Sequence, residues 1–87
     1  MAKLTLDLHD IYDRHEAIEA ALEDIIDQAE ERRIKLVEII HGKGSGQLKK
    51  RVLRFLDQPR IKARYHRVDK DRKNFGRLFV HFRYSRR

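Results

Sequence analysis

The chain has 87 residues, one Pro and no Cys, and its 21 basic and 14 acidic side chains give a net charge of +7. This is the length of one small domain, and 40% apolar content supplies a modest core and argues against wholesale disorder. No window approaches the ~18 consecutive apolar residues of a membrane span, the N-terminus lacks a signal-peptide pattern, and the absence of Cys excludes disulfides, thiolate metal sites and a Cys nucleophile. We expect a cytoplasmic protein without a membrane partner.

The positive charge is unevenly distributed along the chain. Residues 1–34 contain four basic and ten acidic side chains, residues 35–59 contain six and two, and residues 60–87 contain eleven and two. The basic part therefore predicts a polyanionic partner, most often nucleic acid, and solubility alone is the alternative explanation.

The first elements have contrasting periods. Residues 3–8 alternate Leu with polar side chains, which predicts a strand with one apolar face. Residues 14–33 then carry one apolar stripe, which predicts an amphipathic helix with an acidic outer face. Asp13 is the predicted N-cap, with Glu16 completing a carboxylate version of the capping box.

The remaining elements are shorter. Residues 36–40 form a β-branched apolar run that predicts a buried strand, and a glycine-rich segment interrupts it at residue 41. A second helix follows, with Leu48, Val52 and Phe55 or Leu56 facing inward, and Gln58-Pro59 ends it. Alternation over residues 61–66 and 78–84 predicts two further strands joined by a charged turn over residues 69–76.

The predicted order is βαβαββ, an α/β (α+β) chain that forms a two-layer sandwich. We expect a four-stranded mixed sheet with two helices on one face, parallel pairings within the two βαβ units and an antiparallel hairpin at the end. The opposite face of the sheet would carry many Arg and Lys side chains. Ligands in open α/β sheets bind at the carboxyl ends of the strands, so the candidate site lies at that edge.

A first constellation of polar residues ends the first strand. Asp7 and His9 have the same parity, so their side chains would emerge on one face about 6–7 Å apart. A carboxylate and an imidazole placed in this way can act as acid and base or as ligands of a divalent ion. Surface positions at a strand-to-helix turn are the alternative.

A second constellation ends the second strand. Glycines at positions 42, 44 and 46 permit positive φ and leave backbone N–H groups accessible, and the loop leads into a helix N-terminus that favours an anion. Lys43 adds a full positive charge, so the loop is a candidate phosphate cradle, although it is neither a Walker A loop nor a dinucleotide fingerprint. A tight turn that requires glycine is the alternative. The five histidines lack the spacing of a structural zinc site.

Taken together, Leu6-Asp7-Leu8-His9 and His41-Gly42-Lys43-Gly44-x-Gly46 resemble the two signature motifs of the Smr (small MutS-related) domain. The resemblance covers about residues 4–82, so the whole chain is interpreted as one Smr-like domain. It implies a fold similar to the C-terminal domain of bacterial initiation factor three, nucleic-acid binding, and in several members endonuclease activity on DNA or RNA.

The resemblance also implies roles for residues. It ties Asp7 and His9 to cleavage and the glycine loop to substrate binding. We expect the nucleic-acid contacts to come from one set of residues: His41, Gly42, Lys43, Gly44, Ser45, Gly46, Lys49 and Arg77. If the substrate is DNA, Asp7 could hold a divalent cation such as Mg or Mn. If it is RNA, His9 and His41 could share the acid and base roles around a 2′-OH attack.

Two departures from the family pattern separate the possible functions. Asp10 follows the motif histidine where the family usually has Gly, and only Gly76 remains of a glycine-rich stretch before the last strand. A non-catalytic module that binds DNA, RNA or a ribosomal surface is therefore the alternative to an endonuclease. A small phosphorylated metabolite fits less well, because a thin two-layer domain offers little depth for a pocket.

Overall fold

The computed structural model describes residues 3–8, 14–42, 46–70 and 76–84 of the chain. These residues form four strands and three helices: β1 (Lys3–Asp7), α1 (His15–Arg32), β2 (Leu36–Ile40), α2 (Gln47–Leu56), α3 (Pro59–Lys62), β3 (Arg67–Lys70) and β4 (Arg77–His81). The four strands form one mixed sheet, so the predicted fold class is confirmed. No helix in the described ranges is long and apolar enough to cross a membrane.

The order of strands across the sheet is β1-β2-β4-β3. β1 and β2 are parallel, β4 is antiparallel to β2, and β3 is antiparallel to β4. The predicted parallel pairing of the second βαβ unit is wrong, because β4 lies between β2 and β3. The final hairpin is confirmed, and it brings the start of β4 to the edge where β1 and β2 end.

The core lies between the sheet and the helices. It is built from alternate strand residues and from the apolar stripes of α1 and α2, in the periods that the sequence predicted. Its fully buried side chains include Leu8, Ile18, Leu22, Ile26, Val37, Ile39, Val52, Leu56, Ile61, Leu78 and Val80. Because burial of this apolar surface drives folding, these residues fix the register of the strands and hence the edge at which the motifs meet.

Helix α1 agrees with the predicted span to within a residue at each end. Its C-cap, Arg33, adopts a left-handed φ of 54°, and the Tyr84 hydroxyl lies 2.7 Å from the Ala29 carbonyl oxygen and 2.8 Å from that of Ile34. The hydroxyl can donate to these carbonyls at the helix end, so Tyr84, which follows β4, connects the end of α1 to the sheet. The predicted N-cap Asp13 lies outside the described residues, and Arg14 occupies the N-cap position without a side-chain cap bond.

The predicted third strand over residues 61–66 is wrong. Pro59 occupies the first turn of the short helix α3, where its fixed φ is favourable, and Ile61 is buried in the core from that helix. Arg64 then donates to Asp27 and Glu30 of α1, both at 2.5 Å, which holds this segment against the helix layer. The strand begins later, at Arg67, and its last two residues lie within the predicted charged turn over residues 69–76.

Candidate nucleic-acid site at the sheet edge

The two motif-bearing segments end side by side at one edge of the sheet. Asp7, the last residue of β1, is in register with Ile40, the last residue of β2, and Ile40 is in register with Arg77 at the start of β4. The Leu8 N–H continues the contact by donating to the Ile40 carbonyl oxygen at 2.9 Å. The described ends of the two segments, Asp7-Leu8 and Ile40-His41, therefore lie next to each other at this edge.

The last strand supplies a third segment to this edge. The backbone N–H groups of His41 and Gly42 both donate to the Gly76 carbonyl oxygen, each at 2.9 Å. Gly42 has a φ of +84° and Gly46 a φ of +89°, and a Cβ at either position would meet nothing within 4 Å. Glycine is therefore required here by backbone conformation and not by lack of space, because L side chains rarely adopt such φ values.

His41 is the one motif histidine within the described residues, and it is buried. The residue is 5% exposed, and its ring Nδ1 lies 2.9 Å from the Gly42 carbonyl oxygen. A carbonyl oxygen only accepts, so Nδ1 carries the proton and Nε2 is left as an acceptor. Nε2 is buried with no hydrogen-bond partner in the described structure.

The surroundings of His41 keep its ring neutral. Burial lowers the pKa of His41 below its ordinary value of 6.5, the nearby Lys49 charge lowers it further, and the bond to the Gly42 carbonyl opposes both effects. A neutral, almost fully buried ring is suited to holding the start of the glycine loop in place. Lys49 itself is half-buried on the first turns of α2.

Arg77 is fixed on the open face of the sheet by a buried carboxylate. Its guanidinium donates to Glu38 Oε2 at 2.7 Å and lies 5.4 Å from the centroid of the Phe79 ring. Lys3 donates to the other oxygen of Glu38 at 3.0 Å. These two cations lower the pKa of Glu38, although its burial acts in the opposite direction. The sequence analysis did not identify Glu38 as a residue of this site. The available signal was its position as an acidic residue inside an otherwise apolar strand.

The open face of the sheet differs from the prediction of a face rich in Arg and Lys. Strand register and alternation put the cations Lys3, Arg67 and Arg77 on it, but also Asp7, Glu38 and Asp69. Asp69 pairs with Arg67 at 3.3 Å and with His81 at 2.9 Å. The described part of this face is therefore balanced in charge, because acidic residues alternate with the basic ones across neighbouring strands.

Several predicted site residues lie outside the described ranges: His9, Lys43, Gly44 and Ser45. Asp10, the departure from the family pattern, lies outside them too. The described residues contain no group of three or more His, Asp or Glu side chains that could hold a metal ion. His66 and His81 lie toward the other end of the strands, where His81 is in register with Leu36 at the start of β2.

Comparison with known proteins identifies the family. A family model described as the Smr domain matches residues 6–83. The chain is 43% identical over 65 residues to a protein named Endonuclease MutS2 from Leuconostoc citreum (strain KM20); the match covers 75% of the chain but only 8% of that relative. The structure also resembles the crystal structure of the Smr domain of Thermus thermophilus MutS2, with a TM-score of 0.72, over 97% of this chain and 100% of that one. Sequence identity to that domain is 17%, so this likeness shows the fold.

Proposed function

The chain belongs to the Smr domain family, and on that premise we propose that it binds nucleic acid and cleaves a phosphodiester bond at the edge formed by β1, β2 and β4. The observation that supports the proposal is the register of Asp7 with Ile40, because Ile40 directly precedes the segment that begins the glycine loop. A group able to move a proton and a loop able to hold a phosphate would then act together at this edge.

The phosphate would be held by the glycine loop. Residues 42–46 lead into α2, whose N-terminal N–H groups and dipole favour an anion, and Lys43 would neutralise the phosphate charge. Lys49 would add long-range attraction from the same end of α2. His41 would act as a positioning residue, since its buried ring bonds to the Gly42 carbonyl and not to solvent.

The proton transfers would be carried by His9, with Asp7 orienting its ring. On RNA, His9 would take the proton of the 2′-OH as that oxygen attacks phosphorus, and the departing 5′-oxygen would take a proton from water. This route yields a 2′,3′-cyclic phosphate, and Lys43 would stabilise the charge of the transition state. On DNA the nucleophile must be water. Asp7 would then be the residue that holds a divalent cation such as Mg or Mn, whose chemistry would be activation of that water.

The test is cleavage of labelled single- and double-stranded DNA and RNA with and without a chelator, followed by analysis of the product ends. A 2′,3′-cyclic phosphate formed in chelator would establish the metal-free RNA route and exclude a metal role for Asp7. Cleavage of DNA that disappears in chelator would instead assign a Mg- or Mn-dependent hydrolysis. Absence of cleavage from every substrate would contradict the proposed nuclease activity.

A non-catalytic binding module is the second candidate, and Asp10 is the observation that favours it. Asp10 directly follows His9, where the family usually has Gly, and would add a negative charge next to the motif that is expected to meet the phosphate. Such a module would grip DNA, RNA or a ribosomal surface with the same loop. The His9→Ala variant separates the two functions. If wild type cleaves and the variant keeps its affinity but loses cleavage, the chain is an enzyme. If wild type binds without cleaving and the variant binds equally well, the chain is a binding module.

A further inference from the structure

An open groove lies between α1 and α2, next to the candidate site. Its volume is about 490 Å³, and three cations of α2 line it: Lys50, Arg51 and Arg54. Gln47 and Gln58 stand near its two ends, and Glu19 of α1 lines the opposite wall. The groove is open to solvent, and all of its lining residues except Phe55 are charged or polar, so it suits a charged chain lying along it better than an enclosed small molecule.

Two of these cations are available to a ligand. Lys50 and Arg54 are exposed, one helical turn apart, and make no ion pair within the described part of the chain. The cations of the neighbouring segment behave differently, because Arg60 pairs with Glu23 at 3.2 Å and Arg64 with Asp27 and Glu30. Among the described residues, carboxylates of α1 therefore neutralise Arg60 and Arg64, but they do not pair with Lys50 and Arg54 in the groove.

The groove continues the candidate phosphate site. Gln47, at one end of the groove, directly follows Gly46, the last residue of the glycine loop. Gln47, Lys50, Arg54 and Gln58 recur at three or four residues, so they follow one side of α2 and its end over about 16 Å. A nucleic-acid strand held at the loop would have its next phosphates above Lys50 and Arg54.

The opposite wall of the groove is acidic. Glu19 lines the groove, and Glu16 lies about one turn before it on the same face of α1. A single strand can follow the cations of α2 and leave α1 uncovered. A duplex is broader, and its second backbone would lie over these carboxylates, where like charges repel.

We propose that the groove between α1 and α2 binds a single-stranded tract of the nucleic acid that extends from the phosphate at the glycine loop. This inference rests on the proposed function, since it assumes that the loop holds a backbone phosphate. Lys50 and Arg54 supply the phosphate contacts, and the acidic face of α1 excludes a second strand.

The experiment compares Lys50→Ala/Arg54→Ala with the matched control Arg60→Ala/Lys62→Ala. Both pairs remove two positive charges from the helix layer, but Arg60 and Lys62 are already paired with Glu23 and Asp57. Affinity for a short labelled single strand and for its duplex is measured by fluorescence anisotropy over about 50 to 200 mM salt. Probe integrity is checked by gel, and thermal unfolding of each variant is recorded.

We expect the groove variant to bind the single strand about 25-fold more weakly than wild type near 0.1 M salt, with a salt slope smaller by about 1.4, because two contacts to a single strand are lost. The control should stay within about twofold of wild type, its slope unchanged, because its cations contact no phosphate. Unfolding of the groove variant should match wild type, since both side chains are exposed.

Equal losses in the two variants would reduce the effect to net charge and overturn the proposal, as would a groove variant that binds like wild type. An equal loss of affinity for the duplex would overturn the assignment to a single strand. If wild type binds neither probe, the proposed function itself fails. Binding by wild type with no effect of the groove variant refutes only this inference.

Discussion

Glu38 provides the sharpest test of how the open face of the sheet is held together. Its carboxylate is 6% exposed and bridges β1 to β4 through Lys3 at 3.0 Å and Arg77 at 2.7 Å. The substitution Glu38→Gln keeps the size of the side chain and removes its charge. One amide oxygen can still accept a hydrogen bond, but the amide nitrogen must then face the second cation.

The expected loss follows from these two bonds. A hydrogen bond to a charged group contributes about 1.5–3 kcal/mol and a neutral one about 0.5–1.5 kcal/mol, so the bond that Gln keeps weakens by about 1 kcal/mol and the bond that it cannot make costs about 1.5–3 kcal/mol. Solvent recovers part of this, because the Lys3 and Arg77 side chains are 45% and 36% exposed. We therefore predict that the free energy of unfolding falls by about 2 kcal/mol, which lowers the Tm of a domain of this size by about 10 °C.

The assay is urea unfolding at pH 7 and near pH 3. The control is Glu31→Gln, which removes the same charge from an exposed side chain. The folded protein holds the pKa of Glu38 below its ordinary value of 4.5. The stability that this carboxylate adds is thus fully present above pH 4.5 and is lost as the pH falls through the lowered pKa. The gap between wild type and Glu38→Gln should shrink in acid. If Glu38→Gln lowers the free energy of unfolding by less than about 0.5 kcal/mol at pH 7, the bonds of this carboxylate to Lys3 and Arg77 do not stabilise the fold. If the difference between the two proteins is equally large at both pH values, the effect does not come from the charge of Glu38.

Four further predictions concern single residues. Tyr84→Phe should lower the free energy of unfolding by about 1 kcal/mol in denaturant titrations, because it removes the donor to two carbonyl groups at the end of α1. Gly42→Ala should cost about 1–2 kcal/mol in the same assay, since its φ of +84° strains any Cβ although space is free. The pKa of His41 lies below 6.5, so stability should fall as the pH drops below that value, and His41→Gln should flatten this dependence. Lys43→Ala should weaken nucleic-acid binding and reduce the salt slope by about 0.7–0.9, as measured by anisotropy.

Elements with a strong hydrophobic period could be predicted from the sequence. The stripe of α1 and the alternation of β1 and β4 each identify a buried face, and burial of that face is what folds the element. The order of strands across the sheet could not be predicted from local pattern. It depends on β4 inserting beside β2, a pairing between residues about forty positions apart.

In the segment after α2, the alternation of apolar and polar residues predicts the wrong element. Ile61, Ala63 and Tyr65 alternate like a strand, but Pro59 begins a helical turn and the Tyr65 hydroxyl donates to the Leu56 carbonyl at 2.8 Å. The actual strand, Arg67–Lys70, has one apolar residue, and its pairing with β4 makes it a strand. Tertiary contacts therefore override local preference at this edge of the sheet.

At the candidate site, the sequence predicts which segments meet but not how their side chains are used. The first βαβ unit predicts the parallel pairing of β1 with β2, which brings the ends of both strands to one edge. The burial of His41 depends instead on packing beneath the glycine loop, and the fixing of Arg77 depends on Glu38 from a neighbouring strand. Neither contact has a local signature.

Cleavage of nucleic acid at this edge of the sheet is tested by removing both side chains that are proposed to carry it. Purified wild type and the Asp7→Ala/His9→Ala variant are incubated with end-labelled single- and double-stranded DNA and RNA, and both cleavage and binding are followed. We predict that wild type cuts at least one substrate, whereas the variant still binds that substrate and leaves it intact. Equal cutting by the two proteins, or no cutting of any substrate by wild type, would contradict the claim.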